Sequence, residues 1–126
     1  MNLNWGNKTI VIVDDIEVNY ILLREQLKKT GAKFIWLVNG EDSVNYIKEG
    51  NKADLILMDV RMPIMNGIDA TSIIKKLRPN LPIILQTACV MGADCEDLED
   101  TECDGFIYKP IIAEELIKLV SEHLNA

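Results

Sequence analysis

Five polar residues stand where apolar runs stop. Asp14 and Asp15 follow the run from Thr9 to Val13, and Asp59 follows Leu55 to Met58. Thr87 falls two residues after the run Ile83 to Leu85, and Lys109 follows Phe106 to Tyr108. Three carboxylates brought to one place would repel and raise each other's pKa unless a cation sat among them. An oxygen-only cluster suits a hard ion such as Mg2+, held by one or two carboxylates together with waters and a substrate phosphate. A hydroxyl and an ammonium opposite that ion complete a phosphoryl site, in which cations neutralise the phosphoryl oxygens and a carboxylate attacks in line. Asp59, the central candidate, would then carry an acyl phosphate. Each residue alone also has a bland explanation: an acidic pair capping a helix, a strand-end hydroxyl, a lysine reaching for solvent. Capping does not explain why all of them gather at the ends of four runs.

The elements that must position these residues follow from periodicity. Short apolar runs alternate five times with longer amphipathic stretches, without a break in composition, which is a βα repeat. The runs predicted as strands are Thr9 to Val13, Phe34 to Val38, Leu55 to Met58, Ile83 to Leu85 and Phe106 to Tyr108. Their near-continuous apolarity suits parallel strands covered on both faces. Helices are predicted over Glu17 to Lys29, Glu41 to Lys48, Gly67 to Leu77, roughly Gly92 to Thr101, and Ala113 to Leu124. Gly31 and Gly50 end the first two, and Pro79 and Pro82 bar helix before the fourth strand. The last helix places Ala113, Leu116, Val120 and Leu124 on one face, whereas the fourth is acidic and offers mainly Leu98 for burial. Right-handed crossovers leave few arrangements, of which the commonest is an α/β, flavodoxin-like, doubly wound (βα)5 three-layer sandwich with parallel sheet order 2-1-3-4-5. In such sheets the ligand sits beyond the carboxyl ends of the strands, where the strand order reverses.

Composition narrows the function. A chain of 126 residues, 48% hydrophobic, fits one domain spanning 1 to 126, with residues 1 to 7 as a lead-in. Its net charge of −7 argues against direct nucleic-acid binding. No apolar run approaches the ~20 residues of a membrane span and no signal-peptide pattern opens the chain, so a cytoplasmic domain without membrane contact is expected. Cys89, Cys95 and Cys103 are an odd count without CxxC spacing or a nearby histidine, which predicts packed thiols rather than disulfides or zinc.

Four stretches together resemble the receiver domain of two-component response regulators (CheY-like): "IVIVDDIEVN" (10 to 19), "LILMDVRMPIMNGIDA" (55 to 70), "PIILQTA" (82 to 88) and "CDGFIYKPI" (103 to 111). They occur in family order and spacing over essentially the whole chain. The resemblance implies that Asp59 accepts a phosphoryl group from a histidine of a partner kinase. It implies Mg2+ held by Asp15 and Asp59, by Asp14 mainly through water, and by the backbone carbonyl of Arg61. It further implies that Thr87 and Lys109 contact the phosphoryl oxygens, that Thr87 and Phe106 form the switch, and that the Lys109-Pro110 bond is cis. The face built from strand four, helix four, strand five and helix five would be the surface a partner reads. Arg61 and Cys89, each two residues beyond a site residue, would line the approach to Asp59.

Asn19 and the lead-in "NWGNKTIVIVDD" look like receivers of hybrid histidine kinases. The expected partners are then a histidine kinase or the protein's own kinase core, and a histidine phosphotransfer protein. The alternative is a stand-alone response regulator, since no output domain follows the last helix. A haloacid-dehalogenase-type phosphatase also uses a strand-end aspartate and Mg2+, but it needs a second aspartate where this chain has Arg61. A flavodoxin-type FMN carrier would want a glycine- and hydroxyl-rich loop after the first strand, where Asp14 and Asp15 would repel the phosphate. A plain interaction module would have no use for the polar cluster. The expectation is therefore a phosphoacceptor signalling domain, not a turnover enzyme.

Overall fold

The computed structural model describes residues 4 to 88 and 101 to 124. Five parallel strands form one sheet in the order β2-β1-β3-β4-β5, with β1 Thr9–Val13, β2 Lys33–Leu37, β3 Leu55–Asp59, β4 Ile83–Thr87 and β5 Gly105–Tyr108. Helices α1 (Glu17–Leu27), α2 (Gly40–Lys48), α3 (Gly67–Leu77) and α4 (Ala113–Leu124) cover it. This is the doubly wound arrangement that the alternation of runs predicts. The fourth expected helix, Gly92 to Thr101, lies outside the described residues apart from Thr101. No helix among the described residues is long and apolar enough to cross a membrane.

Side-chain alternation along each strand explains the three layers. Ile10, Ile12, Leu55, Leu57, Ile84 and Ile107 point to one face and pack with Leu23 and Leu27 of α1 and Leu116, Val120 and Leu124 of α4. Val11, Val13, Ile56, Met58, Ile83 and Leu85 point to the other and pack with Val44 and Ile47 of α2 and Ala70 and Ile74 of α3. Every residue of β1, β3 and β4 is buried, as central parallel strands require, while the edge strands β2 and β5 are partly open. Each large aliphatic chain so buried contributes about 1.5–3 kcal/mol. Trp5 of the lead-in is 1% exposed and packs into the core, while Asn4, Gly6 and Asn7 around it are exposed.

Several boundaries move by a residue or more. β3 runs on to Asp59 and β4 to Thr87, because their backbones pair in the ladder whatever the side chain: Asp59 lies opposite Gln86. β2 starts at Lys33 and ends at Leu37, one residue earlier than its apolar run suggests. α1 ends at Leu27, and the chain tightens into a 3-10 turn, Lys28–Thr30, before Gly31 takes a positive φ of 79°. α2 and α3 are capped by Asn39 and Asn66, whose side chains accept from the backbone N–H groups of Asp42 and Asp69. The Lys109-Pro110 bond is cis, as the resemblance implies.

Candidate functional site

Parallel strands bring their carboxyl ends to one rim. Asp14 comes directly after β1, Asp59 ends β3, Thr87 ends β4 and Lys109 comes directly after β5. One carboxylate oxygen from each of Asp14, Asp15 and Asp59 lies within 4.8 Å of the other two. Lys109 Nζ stands 3.0 Å from Asp59 Oδ1, with the Asp59 side chain buried and that of Lys109 half-buried. Asp59, Arg61, Thr87 and Lys109 line one open cavity of about 210 Å3, together with Val60, Gln86 and Ala88. The rim thus gathers the carboxylates, hydroxyl and ammonium named from the sequence. Phe106 stays outside this cavity: it is half-buried in β5, packs against the core on the α2 and α3 side, and lines a separate surface groove with Tyr108 and residues of α4.

Local geometry explains how the carboxylates are held. Gly67 opens α3 directly beneath Asp59, and a Cβ there would collide with the Asp59 carbonyl. Only glycine permits that approach. Asp14 is fully buried, and burial pushes its carboxyl above the ordinary carboxylate value; the Ile16 N–H pulls it down, the charge of Asp59 pushes it up, and Asn19 and Lys109 pull it down. Asp14 Oδ1 accepts from Ile16 N–H at 2.9 Å and from Asn19 Nδ2 at 3.3 Å. Asp14 thus fixes the turn before α1 rather than capping the helix, whose N-cap is Ile16 without a side-chain cap bond, and this occupies one oxygen. Oδ2 is buried with no hydrogen-bond partner. An orphaned carboxylate oxygen beside two further carboxylates, with no nitrogen or sulfur donor in the cluster, fits a hard divalent cation.

Two features of the rim take their meaning only from the fold. Trp36 of β2 donates its indole N–H to the backbone carbonyl of Asp14 at 2.8 Å. Gln86 of β4 is 1% exposed, its Nε2 lacks a partner, and it lines both the site cavity and a second one of about 240 Å3 between α1 and the loop after β5. Gln86 is visible in "IILQT" as the polar residue that ends the apolar run before Thr87, which flags an interruption but not its direction.

Residues 10 to 121 match the family model of the response regulator receiver domain. The chain is a response regulator receiver domain. This receiver is 37% identical over 125 residues to part of the Autoinducer 1 sensor kinase/phosphatase LuxN of Vibrio harveyi, covering 99% of this chain and 14% of LuxN. It is 32% identical over 121 residues to the polar-differentiation response regulator DivK of Brucella anthropi, covering 94% of this chain and 97% of DivK. The receiver thus spans a small part of the one relative and nearly all of the other. Among solved structures it resembles the receiver domain of a sensor histidine kinase of Pseudomonas aeruginosa, with TM-score 0.86 and 26% identity over 94% of this chain and 98% of that one. That structure holds a magnesium ion in its active site cleft. The signal receiver domain of a histidine kinase from Syntrophus aciditrophicus superposes with TM-score 0.87 at 28% identity, covering 94% of this chain and 90% of that one. A receiver is a signalling domain rather than an enzyme of the usual turnover kind.

Proposed function

We propose that residues 1 to 126 form one receiver unit that accepts a phosphoryl group on Asp59 from a phosphohistidine of a partner kinase. The observation that carries this reading is the ammonium of Lys109, 3.0 Å from Asp59 Oδ1 in a cavity that Thr87 also lines. A carboxylate oxygen of Asp59 forms a bond to phosphorus as the bond from phosphorus to the donor's imidazole nitrogen breaks, and that nitrogen keeps the electron pair. Lys109 offsets the charge on the phosphoryl oxygens, and the Thr87 hydroxyl donates to one of them. Asp14, Asp15, Asp59 and the carbonyl of Arg61 would hold Mg2+, which when bound supplies further positive charge at those oxygens. The rigid, fully buried β3 fixes the nucleophile in line.

The acyl phosphate then biases a two-state element. Thr87 moves toward the new charge and Phe106 turns inward behind it, altering the face formed by β4, β5 and α4. Phenylalanine has no hydroxyl to anchor either position, so burial alone separates the two.

The domain acts within a cytoplasmic phosphorelay. Its donor side is the rim of α1, where Ile16, Val18 and Leu22 are each more than half exposed and Leu22 lines the cavity shared by Gln86 and Lys109. The match to a segment of LuxN supports an origin in a hybrid histidine kinase, with onward transfer to a histidine phosphotransfer protein. The near end-to-end match to DivK favours a stand-alone regulator as the second reading. A kinase core encoded upstream of Met1 in the full-length gene decides for the first. Phosphorylation itself is tested by incubating the domain with a small acyl phosphate and Mg2+ and measuring intact mass. The wild type gains one phosphoryl mass and Asp59→Asn gains none; equal gain by both contradicts the proposal.

A further inference from the structure

Strand β1 stops at Val13, yet both backbone polar groups of the next residue are engaged. Asp14 N–H donates to the Leu37 carbonyl at 3.0 Å, which continues the β1–β2 ladder for one more bond. The carbonyl of Asp14 points to a side chain instead: Trp36 Nε1–H donates to it at 2.8 Å. Strand β2 therefore grips both polar groups of the Asp14 backbone at the point where the chain leaves the sheet to carry Asp15 into the cleft. The indole is itself immobilised. Its ring stacks on Tyr20 of α1, with centroids 5.3 Å apart and planes 7° from parallel, and the guanidinium of Arg24 lies 5.2 Å from the other aromatic's centroid.

We infer that Trp36 is a positioning residue for the divalent-cation cradle, acting through the Asp14 carbonyl to hold Asp14 and Asp15 at ligand distance from Asp59. This rests on the reading of Asp14, Asp15 and Asp59 as the metal-binding set. Three carboxylates whose oxygens lie within 4.8 Å of one another push apart, and the single ammonium of Lys109 offsets only part of that repulsion. Something must hold the loop against that repulsion for the cradle to be ready when the cation arrives. Side-chain bonds cannot do this alone, because Asp14 Oδ1 is tied to its own helix terminus at Ile16 and Asn19 and moves with it. The Trp36 bond ties the loop to the sheet instead. The Tyr20 stack ties α1 to the same ring, so one side chain joins strand, loop and helix.

The test is Mg2+ binding by titration calorimetry on the wild type and on Trp36→Phe, which keeps a stacking ring and removes the donor. Without that bond the loop relaxes outward and Mg2+ must draw it back, which weakens Mg2+ binding about five-fold, the order of one hydrogen bond, while the metal-free melting temperature falls by a few degrees. A merely structural tryptophan gives the same fall in melting temperature with an unchanged dissociation constant, and that result overturns the inference while leaving the cradle intact. No Mg2+ binding by the wild type overturns the cradle and the inference together. Should Trp36→Phe fail to fold, Tyr20→Leu keeps the indole and removes its platform. It weakens Mg2+ binding in the same direction, and unchanged affinity there counts against the inference equally. In the wild type, the Trp36 indole N–H resonance shifts on Mg2+ addition while that of Trp5, buried at the opposite ends of the strands, does not; a static Trp36 resonance also contradicts it.

Discussion

Asp14 shows how one side chain serves folding and function at different pH. Its carboxyl titrates above the ordinary value of 3.8, first because it is buried. A raised folded pKa means that its contribution to stability is fully present below pH 3.8 and is lost as pH rises through the folded value. At neutral pH the charged form therefore burdens the metal-free fold. Asp14→Asn keeps an oxygen for Ile16 and Asn19 and removes the charge. It is expected to melt a few degrees higher than wild type without metal at pH 7, to lose that advantage near pH 4, and to bind Mg2+ more weakly; scanning calorimetry across pH checks the first two. Asp14, Asp15, Asp59, Thr87 and Lys109 were legible in the sequence because each falls within two residues of the end of an apolar run. Trp36 was not, since an aromatic inside a strand reads as packing and its bond to Asp14 exists only once β2 lies beside β1.

At the scale of elements, two contacts set where the site stands. α3 abuts β3 so closely that Gly67 cannot be enlarged. Gly67→Ala is expected to cost about 1–3 kcal/mol, seen as a lower urea midpoint with unchanged slope. At the far end of α3, Lys75 is 8% exposed and contacts Asp104 Oδ2 at 2.6 Å and the Leu81 carbonyl at 2.7 Å. Asp104 in turn accepts from Ile83 N–H at 2.8 Å, joining the start of β4 to the turn before β5. Lys75→Met is expected to cost about 2 kcal/mol in the same assay, less than a fully buried broken pair, because the Asp104 side chain keeps 32% of its surface in water. The central strands were readable from apolarity alone, since burial on both faces leaves no room for alternation. Their last residues were not: Asp59 and Thr87 belong to strands through backbone pairing, to which a hydropathy pattern is blind.

For the whole molecule, the strand order follows from the βα alternation and crossover handedness, which leave few other ways to bury five apolar runs. The order then fixes the site, because it brings β1 and β3 side by side and sets β4 and β5 beyond them. Function is thus a property of topology: residues 95 positions apart, from Asp14 to Lys109, meet at one rim. Binding of Mg2+ to the folded state alone must raise stability, by about 2.7 kcal/mol at a hundred-fold excess over the dissociation constant. A thermal melt with and without Mg2+ is expected to show that rise in the wild type and to show it reduced in Asp59→Asn. The central claim is narrower: one carboxylate, at position 59, carries the phosphoryl group. Treating the phosphorylated domain with borohydride reduces an aspartyl phosphate to homoserine, which peptide mass spectrometry locates. The predicted result is homoserine at position 59 and at no other aspartate; homoserine elsewhere, or none in a protein that has gained phosphoryl mass, contradicts it.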